Sequence, residues 1–136
     1  MRYFSAVLLG CAVSVSALDA LAQPRARIDV PVMVGGTGVL DGCASVGQII
    51  GLDPRGDGFL SVRSGPGGKP YREIDRLYNG NQVFVCHDKG PWLAVVYGQS
   101  ADGTCGVSTP WPVRQPYTGP CRSGWIHSRY VQIVAG

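Results

Sequence analysis

The sequence predicts an all-β fold, a small barrel or sandwich, and three of its features lead there. From Gly47 onward short apolar runs alternate with turn residues, and no window holds a 3.6-residue apolar period for more than about two turns. An even set of cysteines then follows an export-type leader, which is the usage of a small crosslinked domain. Short strands with glycine-rich punctuation build such folds, and an ordinary helix has no window to occupy.

The leader comes first. Met1-Arg2 is followed by an uncharged stretch from Tyr3 to Ser16, rich in Ala, Val and Leu, and then by Ala20-Leu21-Ala22 ahead of Gln23-Pro24. One positive charge, about 14 apolar residues and a small-x-small site describe a secretory signal peptide over 1–22. A spanning helix needs roughly 20 apolar residues, so no membrane span is expected. Leu8-Leu9-Gly10-Cys11 is also a loose match to a lipoprotein box, in which Cys11 would carry lipid. The expected location is periplasmic or secreted, with lipid anchoring at Cys11 as the minor alternative.

Cleavage after Ala22 leaves 114 of the 136 residues, and because Arg2 and Asp19 leave together the net charge stays at +3. A chain this size holds one domain whose core is small enough for crosslinks to matter. The charge is too modest and too evenly spread for a nucleic-acid footprint. Cys43, Cys86, Cys105 and Cys121 read as two disulfides. No Cys-x-x-Cys pair exists and His87 and His127 stand at no zinc-finger spacing, so neither a metal nor another cofactor is expected. Four cysteines allow three pairings. Cys105 and Cys121 flank a proline-rich insertion whose neck they could close, which would leave Cys43 with Cys86.

Residues 23–46 read as an irregular N-terminal arm, with Ile28 to Val34 as its one short strand segment. Seven short runs follow: Gln48–Leu52, Phe59–Val62, Ile74–Leu77, Gln82–Cys86, Leu93–Tyr97, Gly124–His127 and Val131–Val134. Asp53-Pro54-Arg55-Gly56-Asp57-Gly58, Asn79-Gly80-Asn81 and Asp88-Lys89-Gly90-Pro91 supply the turn residues between them. Side chains alternate along a strand, so Val83 and Val85 face one way and Phe84 and Cys86 the other; Leu93/Val95 and Ala94/Val96 repeat the pattern. Both faces are apolar. The hairpin must therefore be buried on both sides, or have its second face covered by the segment 98–123, a long polar and proline-rich insertion.

At Leu60-Ser61-Val62-Arg63-Ser64-Gly65-Pro66-Gly67 the chain closely resembles the opening motif of bacterial SH3 (Src-homology-3-like) domains. Ile74 to Leu77 with Asn79-Gly80, Val83-Phe84-Val85, Trp92 with Val95, and Gly124-Trp125-Ile126-His127-Ser128-Arg129-Tyr130-Val131 are similar to the family's later landmarks. The resemblance spans residues 58 to 132. It implies a small SH3-like, partly open barrel of about five to seven short strands over 47–136, with a disulfide-tied insertion loop at 98–123. It also implies a binding rather than a catalytic role, chiefly toward peptidoglycan peptides and sometimes toward protein partners. The long insertion and the cysteines depart from the family's usual pattern.

Residue chemistry points the same way. Cys86 and His87, as strand neighbours, should face opposite sides and so form no thiol-imidazole pair, while Cys121 with His127 would need an unpaired cysteine in an oxidising compartment. The chain has one glutamate, Glu73, and most of its aspartates stand beside Gly or Pro, where their ordinary role is turn formation. No enzyme activity is expected. Aromatic rings are the better lead, since they stack on peptide or sugar faces. Trp92 and Trp125 read as core residues. Trp111 and Tyr117 in the insertion, with Tyr97, Tyr71 and Arg114, are the expected ligand contacts, arginine suiting the carboxylates of stem peptides or acidic partners. Arg63 reads as a strand-end residue paired with Asp57, Glu73 or Asp75. Two functions are carried forward: a non-catalytic envelope module recognising peptidoglycan peptides, and an inhibitor or accessory subunit that binds a secreted or envelope protein through the 98–123 loop. The oligomeric state is left open.

Overall fold

The turn chemistry and alternation described above resolve, in the computed structural model, into antiparallel strands over the described residues 28–38 and 40–136. The signal peptide over 1–22, Cys11 and the start of the arm lie outside them. In chain order the strands are β1 (Met33–Val34), β2 (Ser45–Ile49), β3 (Leu60–Arg63), β4 (Glu73–Leu77), β5 (Gln82–Lys89), β6 (Trp92–Tyr97), β7 (Gln115–Pro116), β8 (Arg122–His127) and β9 (Val131–Ala135). One 3₁₀ turn, Ser128–Tyr130, joins the last two. Nine strands exceed the expected five to seven because two-residue β1 and β7 pair the arm with the insertion.

The main sheet has seven strands in the order β4-β3-β8-β6-β5-β2-β9, and it does not close: β4 and β9 remain its edges. It curls instead around a first core of Ile49, Leu52, Leu60, Val62, Leu77, Val83, Val95, Tyr97 and Ile126. Residues from β2 and β4, five positions apart in the sheet, meet there, which a flat sheet would forbid. Gly124 makes the curl feasible. A Cβ on it would stand 2.4 Å from the Val62 Cγ1, so only glycine lets β3 approach β8 this closely.

The other face of the β5–β6–β8 region is covered too. Val32, Val34, Cys43, Ala94, Val96, Cys105, Val107 and Trp125 form a second core, drawn from the arm, the sheet and the insertion. The two-faced hairpin is thus buried on both sides, and the arm shares the covering with the insertion. The arm is irregular along most of its length, yet it is packed down. Val32 and Val34 are only 3% and 1% exposed, and burying such a side chain is worth roughly 1.5–3 kcal/mol, enough to hold a short segment down. Backbone bonds zip arm to insertion: Tyr117 N–H to Val32 O, Gly36 N–H to Trp111 O, and Gly42 N–H to Thr109 O, each 2.8 Å.

Both disulfides are present. Cys105–Cys121 closes the insertion's neck, and Cys43–Cys86 ties the end of the arm to β5. Two such crosslinks fit an oxidising environment outside the cytosol. No helix among the described residues is long and apolar enough to cross a membrane.

Candidate functional site

An open groove of about 200 Å³ lies where the arm crosses the end of the main sheet. Its floor is Ser123 and Gly124 of β8. One wall is Arg63 at the end of β3 and the following Ser64, with Arg72 and Ile74 at β4, and the facing wall is Asp29 to Val32 of the arm. Two hydrogen bonds of 2.8 Å fix that second wall: Val30 N–H donates to Ser64 O, and Trp125 Nε1–H donates to Val30 O. The register of β3 with β8 sets Arg63 directly opposite Trp125, so the arginine stands on the face that the arm covers.

Arg63 does not have the acidic partner expected for it. Its Nη1 donates to Tyr71 O at 3.2 Å, and no carboxylate among the described residues lies within ion-pair distance. The three acids named for it are otherwise placed. Glu73 accepts from Ser61 Oγ and from Arg76 Nε, and these bonds, Ser61 first, hold its carboxyl below the usual range. Asp75 accepts from Arg122 Nη1 at 2.9 Å and Tyr97 Oη at 3.0 Å. Burial pushes the Asp75 carboxyl up, but the bonds from Arg122, the Arg76 N–H and Tyr97 outweigh it and the net shift is downward. Asp57 sits in the exposed 53–58 turn. The guanidinium of Arg63 therefore keeps donors to offer. Arg72, beside it, pairs with Asp29 at 3.2 Å with both side chains about half exposed.

The insertion presents a different picture from the one its composition suggested. The Trp111 and Tyr117 rings stand 6.3 Å apart, and both pack against the second core. Trp111 Nε1–H donates to Gly106 O, and a Cβ on Gly42 would stand 2.9 Å from the Trp111 Cδ1, so the indole lies pressed to the arm. Tyr117 sits inside the disulfide-closed neck, where its hydroxyl donates to Cys105 O at 2.7 Å and accepts from Cys121 N–H at 3.1 Å. Their polar tips are engaged within the protein, and the two rings join the insertion to the arm.

The remaining expected contacts separate. Tyr97 is 5% exposed and belongs to the first core, so it offers no ring face to a ligand. Burial, and then the Asp75 carboxylate, push its hydroxyl well above the ordinary tyrosine value. Tyr71 packs over Gly65 and contributes to the groove through the carbonyl that holds Arg63. Arg114 is exposed in the insertion, and its charge is felt by His87. The five do not converge.

Cys86 and His87 also correct the strand-alternation reading. A β-bulge between Val85 and His87 sets His87 opposite Ala94, so both neighbours turn toward the second core. His87 meets Trp125 edge-on at 5.1 Å and accepts from Met33 N–H at 3.3 Å, while Cys86 is held in its disulfide. Sequence reasoning had Arg63, Ser64 and Ile74 in hand as motif residues but did not join them, and it missed Arg72 and Ser123, because only the folded register brings β3, β4, β8 and the arm to one place.

Compared with protein-family models, curated proteins and solved structures, the chain finds no match.

Proposed function

We propose that this chain is a non-catalytic binding module of the bacterial cell envelope that recognises peptidoglycan peptides. The single observation that carries this reading is the Arg63 groove: a half-buried arginine with no acidic partner among the described residues, set beside apolar wall residues. Peptides of the cell wall offer carboxylates and small aliphatic side chains, which match those two surfaces. The resemblance to bacterial SH3 domains, marked by Leu60 to Gly67 and Gly124 to Val131, supports the same reading, as does an export-type leader ahead of a disulfide-tied domain. The four cysteines, which alone could serve as thiol nucleophiles in the described chain, are joined in disulfides.

Co-sedimentation with insoluble peptidoglycan tests the proposal. The disulfide-bonded chain is expected in the pellet and to be released by soluble wall peptides; a chain that stays wholly in the supernatant overturns the reading. A second reading is favoured by Val113, 67% exposed, and Leu40, 52% exposed, on the joined arm and insertion. In it the 98–123 loop caps a secreted or envelope protein, making the chain an inhibitor or accessory subunit. Failure to sediment, with loss of such a complex on Val113→Asp, would favour this alternative.

A further inference from the structure

We infer that the groove receives the free terminal carboxylate of a peptide, with Arg63 as its anchoring cation, Arg72 as a second donor, and the last side chain lying against Ile74 and Val30. This rests on the peptide-binding reading above and names the part of the ligand that is recognised.

Geometry supports the anchor. One nitrogen of Arg63 is held by Tyr71 O, which restrains the guanidinium and leaves further N–H groups to donate. A fixed planar fork matches a carboxylate with two parallel hydrogen bonds, and less side-chain freedom is lost on binding. The charge balance agrees. Glu73 is close enough for Arg63 to lower its pKa, but its oxygens are already taken by Ser61 and Arg76. An incoming carboxylate would meet an arginine that forms no ion pair with any acid among the described residues.

Arg72 can join at small cost. Its pair with Asp29 is about half exposed and screened by water, and its guanidinium has N–H groups enough to keep that pair while donating to a ligand carboxylate. Size limits the groove to about one or two residues of a peptide. At about 200 Å³ the groove is smaller than the roughly 300–1,000 Å³ of sites that enclose whole drug-sized ligands. The apolar wall distinguishes a peptide from a bare anion. Ile74 is 39% exposed, and a small aliphatic side chain laid on it would remove that surface from water.

The test is a titration of the isotope-labelled, disulfide-bonded chain with N-acetyl-alanyl-alanine, its C-terminal amide, and acetate. Saturable shifts are expected at Arg63, Ile74 and Gly124 with the free acid, and at least tenfold weaker binding of the amide and of acetate. Arg63→Gln should weaken the free acid at least tenfold. Should that variant misfold, Ile74→Glu serves instead, since it sets a negative charge at the groove's edge and should abolish free-acid binding. Equal binding of acid and amide overturns the inference, and acetate binding as tightly as the peptide does so too. Sedimentation with peptidoglycan that is unchanged in Arg63→Gln and Ile74→Glu also sinks the inference while the envelope reading survives. Free-acid binding without any sedimentation would support the groove and sink the envelope reading.

Discussion

Trp125 Nε1–H donates a 2.8 Å hydrogen bond to the Val30 carbonyl, joining the last third of the chain to the arm across 95 sequence positions. Trp125 is 2% exposed at the centre of the second core, and the same Val30 donates its N–H to Ser64 O. One indole thus fixes both the covering of the sheet and the outer wall of the groove. Trp125→Phe keeps most of the apolar area but leaves that carbonyl without its donor. Denaturant unfolding should show a loss of about 1–3 kcal/mol, and hydrogen exchange at the Val30 amide should quicken.

Gly124 lies next to that tryptophan, and its replacement should be felt in the first core. A methyl group there would overlap the Val62 Cγ1 and crowd the Arg63 carbonyl. Gly124→Ala is expected to cost about 1–3 kcal/mol by forcing β3 away from β8. The shift should appear in the unfolding midpoint, and the backbone resonances of Val62 and Arg63 should move with it.

His87 gives the fold a pH dependence. Burial first, and then the charge of Arg114, lower its pKa below the ordinary 6.5. Its neutral Nε2 accepts from Met33 N–H, a bond the protonated ring cannot make. A lowered folded value means that this contribution to stability is complete above 6.5 and is lost as pH falls through the lowered value. Amide exchange at Met33, followed from neutral to acidic pH, should rise in that window. In His87→Gln the extra rise should vanish.

Asp102 should titrate far more acidic than a free aspartate. It accepts from Thr104 N–H, Thr104 Oγ1 and Ser100 Oγ, and these bonds, the Thr104 backbone first, lower its carboxyl to about 2. The ordering it supplies to the start of the insertion is present above about 3.8 and is lost as pH falls through about 2. A carbon-detected titration of the carboxyl reads the midpoint directly.

The two disulfides should differ in what they protect. Cys105–Cys121 closes a separation of 16 residues and Cys43–Cys86 one of 43, which on chain-entropy grounds are worth about 3 and about 4 kcal/mol. Paired Cys→Ser replacement of the first should loosen the Tyr117 neck, visible as faster exchange at the Cys121 amide. Replacement of the second should free the arm from β5 and lower the global unfolding midpoint further.

Much of the architecture was legible because it rests on local chemistry. Val83/Val85 against Phe84/Cys86 announced a strand with two apolar faces, and Asn79-Gly80 and Lys89-Gly90 announced turns in which both glycines do take positive φ. The candidate site was legible only in pieces. Arg63 stood out by its motif, yet its expected acidic partner was wrong because Glu73 and Asp75 had nearer competitors in Arg76 and Arg122. Trp111 and Tyr117 looked bare because the insertion around them is polar and proline-rich, whereas groups of the arm and the disulfide neck leave both half-buried.

By itself the sequence determined the class of fold, the places where the chain turns, and the number of crosslinks, since alternation, glycine conformations and cysteine count act within a few residues or by simple parity. Only the tertiary structure decided that the arm is part of the core, which rings are covered, and that Arg63, Arg72 and Ile74 share one groove with Val30. Those outcomes depend on burial and charge competition among residues tens of positions apart. Such distances are set by the folded register of β3, β8 and the arm, and no local pattern encodes them.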